Sequence, residues 1–387
     1  MFGCLVRNDA RVQSRWPPKR QVRVSQCGKN VLSEGAGADC RTTKWYPVPR
    51  GGRAVLRRRS SGWATASEGV GHARGRGGEV AFGELIVWYL FLGGTAAGSF
   101  AVLSVIDLYT AFSHAGDPCF PRMPLGCQRH RLRSTTQGRI ARTGYSIAFV
   151  MLVVGMLCLL ADLGRPEAFY LLFLYPTSSF VSIGTFALSL FAVCLTIALA
   201  ESVLTLGPVG EKVSLVAKAF GAALAVVVMI YTGLLLENVV AVSLWRSVWL
   251  PALFLLSALS CGCGVVFLSV CLCENYTGAL RWFRGLSLVD AALIVLEVLA
   301  VAACAITVNA ASADRPFDAL LVGEQSCAFW FGFVGCGILA PLAIEVSALV
   351  ARRTHRSSVI AVMAVLILVG GLSLRFVLVS AGVQTAA

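Results

Sequence analysis

Five side chains have chemistry at odds with the apolar stretches that hold them: Asp162, Tyr231, Asp290, Glu297 and Arg375. An ionisable group at the centre of a bilayer costs roughly 2.5–3.5 kcal/mol on insertion scales, so each needs a partner or a task. Asp290 and Glu297 are seven residues apart and so share one helix face, two turns from each other. Counted from Arg284 at about 1.5 Å per residue, they lie about 9 and about 20 Å deep. Carboxyls so spaced can pass protons along a helix. The plainer alternative is a pair of buried acids hydrogen-bonded to neighbouring helices or holding their protons permanently. Asp162 follows Arg142 by 20 residues, which puts it at the far boundary of the same layer. Tyr231 precedes Glu237 by six residues, about 9 Å beneath that boundary. A carboxylate and a phenol at one level can hydrogen-bond a ligand and exchange protons with it. For Asp162 the simpler role is to end its helix and pair with Arg165. Arg375 keeps its charge and must find a partner or reach the interface, with Glu237 and Asp162 as candidates.

The elements that must position these groups follow from composition. Of 387 residues, 57% are hydrophobic and 14% charged, against about 25% charged in an ordinary soluble domain. The formal charge of +13 resembles a nucleic-acid signature until it is located. Residues 1–79 carry 16 Lys/Arg and five Asp/Glu, a net of +11, and the rest of the chain only +2. The first 79 residues have no hydrophobic period, and their Arg, Gly and Ser content predicts a disordered basic tail. From there to about residue 383 the sequence reads as all-α integral membrane protein. Eight stretches reach the roughly 20 residues a bilayer requires, near 82–113, 140–162, 177–200, 214–237, 247–273, 286–308, 326–349 and 358–380. The connections after spans 1, 3, 5 and 7 hold 13 basic residues and the opposite side four. Basic loops stay cytoplasmic, so odd-numbered connections are expected inside and both ends of the bundle outside. A tail of +11 would then have to cross the membrane ahead of span 1. One resolution is a true start near Val80, within the longer reading frame; the other is a genuine extension. Asp107, Glu201 and Glu345 fall near the Arg-rich boundary and read as interfacial.

Span 1 contains Trp88-Tyr89-Leu90-Phe91-Leu92-Gly93-Gly94-Thr95-Ala96-Ala97-Gly98, small residues that let helix backbones approach closely. Span 2 ends in Ala161-Asp162-Leu163-Gly164-Arg165-Pro166-Glu167, followed by Tyr175-Pro176-Thr177-Ser178-Ser179 and Ser182-Ile183-Gly184-Thr185-Phe186. Span 4 carries Tyr231-Thr232-Gly233, and span 5 opens through Leu244-Trp245 and Trp249-Leu250-Pro251. In this order and spacing the set resembles the NrfD-type family, the membrane subunit of polysulfide reductase and its relatives, over about residues 82–380. The resemblance implies two four-helix bundles in the bacterial cytoplasmic membrane. It implies a subunit that exchanges electrons with a quinone pool, menaquinone or ubiquinone, as diffusible substrate. Its implied partner is a ferredoxin-like iron–sulfur subunit, joined by a molybdopterin enzyme or a multihaem cytochrome. On that likeness Asp162 and Tyr231 match the acid and phenol of the quinone pocket. Ile86 stands where the family carries an early polar residue, leaving Glu84, Tyr89 or Trp88 to substitute for it. Arg165 and Glu167 lie in the adjoining loop, where they would pair with each other or contact the partner. A weaker internal echo relates Gly93, Gly94, Ala96, Ala97 and Gly98 to Ser257, Ala258, Ser260, Cys261 and Gly262 at a fixed offset.

All four histidines (His72, His114, His130, His355) lie in the tail or in connections, which excludes bis-histidine haem within the bundle. The 14 cysteines form no iron–sulfur run, and no metal site is expected. Electrons would therefore come from a cofactor on another polypeptide. No extramembrane segment is long enough for a terminal-substrate active site. The competing reading is a secondary transporter or proton-conducting protein, using the same acids without redox chemistry.

Overall fold

The computed structural model describes residues 5–6, 21–25, 43–47, 77–115, 136–162, 180–204, 207–238, 243–273, 276–311, 317–323, 325–351 and 357–386. The chain divides into two units, Met1–Ala73 and Arg74–Ala387. In the first, β1 (Leu5–Val6), β2 (Gln21–Ser25) and β3 (Thr43–Pro47) pair antiparallel in that order. Thus the segment whose composition favours disorder holds three strands. In β2 polar and apolar residues alternate, with Val22 and Val24 opposite Tyr46 and Lys44.

The second unit contains eight helices long and apolar enough to cross a membrane. They are α1 (Gly77–Ala115), α2 (Thr136–Asp162), α3 (Phe180–Val203), α4 (Pro208–Glu237), α5 (Trp249–Cys271), α6 (Tyr276–Ala311), α7 and α8 (Ser357–Ala386). α7 starts as a π-helix over Ala328–Leu339 and continues as α-helix over Ala340–Ala351. Pro208 opens α4, where its missing N–H is not needed and its fixed φ suits the first turn. A multi-pass membrane chain is the consequence: helices satisfy their backbone groups internally, as hydrocarbon demands.

α1 to α4 pack as one four-helix group and α5 to α8 as a second, joined mainly through α1 against α5. These two are the innermost spans, each 78% buried over its apolar window, whereas α2 and α6 are 28% buried. Their close approach is made by small residues. A Cβ on Gly98 would lie 1.9 Å from the Ala258 carbonyl oxygen, and one on Gly262 would lie 2.3 Å from the Gly98 carbonyl carbon. One turn away, a Cβ on Gly94 would sit 3.6 Å from that of Ala258. Gly94-xxx-Gly98 thus lies along Ala258-xxx-Gly262, a small-xxx-small contact within one chain. The neighbouring pairs are the positions that the internal echo matches, Gly94 with Ala258 and Gly98 with Gly262.

Candidate functional site

At the Asp162 end of the first bundle, α1 and α4 each turn a phenol inward. Tyr89 is 5% and Tyr231 8% exposed, and the two lie within electrostatic range of each other. Tyr231 occupies the room left by Gly184 of α3: a Cβ there would fall 1.8 Å from the phenol Cζ. The glycine in the Ser-Ile-Gly-Thr-Phe stretch is therefore a seat for the tyrosine ring. Around Ile86, Trp88 faces outward and Tyr89 inward among the described residues. Gly155 of α2 packs on Leu92 and Gly93 beside it.

Asp162 is the last residue of α2. It is half-buried, and its Oδ1 is buried without a hydrogen-bond partner. No hydrogen bond ties it to Tyr89 or Tyr231 among the described residues. Arg165 and Glu167 lie outside the described residues, as does the side chain of Glu84.

Arg375 sits deeper, where α8 meets α1 and α5, and is 1% exposed. Its Nε donates to the Leu90 carbonyl oxygen at 3.3 Å, and Nη1 donates to Ser257 Oγ at 3.1 Å and the Gly371 carbonyl at 2.8 Å. The guanidinium also lies over Phe91 and Phe254, 5.9 and 5.5 Å from their ring centroids. The expected pairing with Glu237 is not formed, nor one with Asp162. Glu237 stays half-exposed at the end of α4, while Arg375 exchanges water for carbonyls, a hydroxyl and two aromatic faces. The carboxylate acting on it is Glu297.

Asp290 and Glu297 are buried on one face of α6, at 0% and 4% exposure. Glu297 lies beside Ser257 and within range of Arg375. With Ser260, Cys261 and the π-helical half of α7 it lines a crevice too narrow to admit water. Glu345 of α7 departs from its expected interfacial place: it is 0% exposed and faces Asp290. The sequence does carry a signal for this, since Glu345 lies about two turns inside an apolar stretch that ends only at Arg352.

A second correction concerns the opposite end of the first bundle. Lys218 of α4 is 2.7 Å from both Asp107 Oδ2 of α1 and Glu201 Oε2 of α3. Tyr145 of α2 donates to the same Asp107 oxygen at 3.1 Å, and Ser214 of α4 donates to Glu201 at 2.8 Å. Every helix of that bundle contributes to the cluster, which borders a cavity of about 90 Å3 together with Thr110 and Gln137. In sequence these residues read as interfacial because charge near a boundary carries no sign of its direction; the helix rotation turns them inward. Phe100 packs edge-on against Phe191 at 5.3 Å and on Tyr145 at 5.7 Å. This apolar layer separates the cluster from the tyrosine pair.

Among known proteins, the profile of the family described as polysulphide reductase, NrfD, matches residues 73–387. The C subunit of polysulfide reductase from Wolinella succinogenes is 28% identical over 326 residues, 77% of this protein and 94% of that relative. The protein NrfD homolog of Haemophilus influenzae is 24% identical over 323 residues, 78% of this protein and 94% of the relative.

Proposed function

Since the chain belongs to the NrfD family, we propose that it is the quinone-reactive membrane subunit of an oxidoreductase complex. The observation that carries this reading is the buried Tyr89–Tyr231 pair, with Gly184 shaped to receive one of its rings. Interconversion of quinol and quinone moves two electrons and two protons. A quinone head group needs a hydrogen-bond donor or acceptor at each oxygen, and two phenols supply both. Asp162, at the edge of the same region with an unpartnered oxygen, is the acid or base that would exchange protons with solvent. The electrons pass to or from an iron–sulfur cluster on a ferredoxin-like partner, itself joined to a molybdopterin enzyme or a multihaem cytochrome. Arg165 and Glu167 are assigned to contact with that partner.

The positive-inside bias puts the Asp162 end on the outer side of a bacterial cytoplasmic membrane. Asp290 and Glu297 then lead protons from the cytoplasmic side towards Arg375, at the junction of the bundles. Arg375 lies next to Leu90 of α1, one residue from Tyr89, which brings the relay close to the tyrosine pair.

The test is quinol-linked electron transfer in membranes that carry the assembled complex. Tyr231→Phe and Asp162→Asn should impair it while the complex still assembles. Normal turnover in both variants would refute the site.

A further inference from the structure

Four carboxylate oxygens in the second bundle are buried without a hydrogen-bond partner, and all belong to Asp290 and Glu345. Neither residue is exposed at all. They come from different helices, α6 and α7, and are close enough for their charges to act on each other. An ionised carboxylate only accepts hydrogen bonds, so two facing carboxylates cannot satisfy one another. Two negative charges side by side in a dry interior are also mutually unfavourable. The nearby hydroxyls do not resolve this: Ser287 beside Glu345 has its own Oγ buried and unpartnered, and Ser260 flanks Asp290. The other titratable neighbours are Cys261 and Cys263 of α5, Glu297 of α6 and, beyond it, Arg375 of α8. Arg375's own hydrogen bonds go to Leu90, Ser257 and Gly371.

We propose that Asp290 and Glu345 form a carboxyl–carboxylate dyad that binds a single exchangeable proton between α6 and α7. One proton supplies the missing donor, removes one of the two like charges and leaves the pair at −1. Acceptance of a proton from one side and its release towards Glu297 leaves that charge unchanged on completion of the cycle. Glu297 is seven residues along the same helix from Asp290, and Ser260, which flanks Asp290, also lines the crevice that holds Glu297. Glu345 thus becomes the acid that makes Asp290 able to hold a proton rather than merely to be buried. The dyad itself stands on the packing of α6 against α7; only its use in turnover rests on the quinone reading.

Infrared spectroscopy of the full chain in membranes tests it. The wild type is expected to show a carboxylic-acid C=O band at neutral pH that shifts to lower frequency in D2O. Glu345→Gln and Asp290→Asn should each abolish the band, because an amide donor lets the remaining carboxyl ionise. Both variants are near-isosteric, and thermal unfolding of the same samples confirms that they are folded. A missing wild-type band, a band that survives both variants, or one lost in a single variant only would overturn the shared proton. Loss of the wild-type band on adding sodium chloride at constant pH would also overturn it, making the pair a sodium site. None of these outcomes depends on quinol turnover, so failure of the dyad and failure of the quinone site are separable.

Discussion

Lys218 of α4 places its ammonium 2.7 Å from the carboxylate of Asp107 of α1, with side chains only 6% and 18% exposed. The same nitrogen reaches Glu201 of α3 at 2.7 Å, so one cation joins three helices. The cluster is worth little as net stabilisation compared with an apolar replacement, yet much as a constraint: removing one member leaves uncompensated charge in the bundle.

Lys218→Met should therefore lower stability by roughly 3–5 kcal/mol, the typical effect of breaking a buried pair. The triple variant Lys218→Met, Asp107→Asn, Glu201→Gln should recover most of the loss. Denaturant unfolding of the protein in mild detergent measures both. Equal losses in the single and triple variants would contradict charge as the cause.

Gly184→Ala is expected to mimic Tyr231→Phe. An added methyl would meet the phenol ring within 1.8 Å at Cζ, so the ring must move. Both changes should reduce quinol-linked turnover by about 10²-fold, the usual scale for a misplaced or missing acid–base group. Turnover assays on membranes, alongside immunodetection of the assembled complex, separate this from failed assembly.

Glycines along α1 and α6 should respond very differently to one methyl group. Gly98→Ala drives a Cβ to 1.9 Å from a backbone oxygen that cannot turn aside, and destabilisation of at least about 1–3 kcal/mol is expected. Gly285→Ala in α6 meets nothing within 4 Å; there, reduced backbone freedom in the unfolded chain should stabilise by roughly 0.5–1 kcal/mol. Melting temperatures of the two purified variants check the sign of each.

Arg375→Lys should not be a conservative change. An ammonium cannot reproduce the donors to Leu90, Ser257 and Gly371 together with the stacking on Phe91 and Phe254. Loss of about 1.5–3 kcal/mol follows from the charged hydrogen bonds alone, and unfolding midpoints of wild type and variant provide the comparison.

Eight spans are legible in the sequence because hydrocarbon thickness imposes a length and a composition, and their number and order hold. Span edges differ by a few residues, as at α4, expected from 214 and apolar from Val209. Tyr89, Tyr231, Asp290, Glu297 and Arg375 stand out as polar groups in apolar surroundings. Their partners do not, because depth along a helix can be counted from sequence but rotation about it cannot. Depth alone offers Arg375 the carboxylates of Asp162 and Glu237, whereas in the fold it binds carbonyls of α1 and α8. Depth likewise puts Glu201 near the boundary, while rotation carries it into the interior.

The contact of α1 with α5 has one more consequence. Positions separated by 164 residues in the sequence, Gly94 with Ala258 and Gly98 with Gly262, meet each other across a single interface. Equivalent positions touch in this way when two parallel helices are related by a two-fold axis between them. The molecule is thus built like a homodimer whose protomers have been tethered. Its connecting segment serves chiefly to raise the effective concentration of one half at the other. The two halves carry different chemistry: one holds the tyrosine pair, the other the line of buried acids.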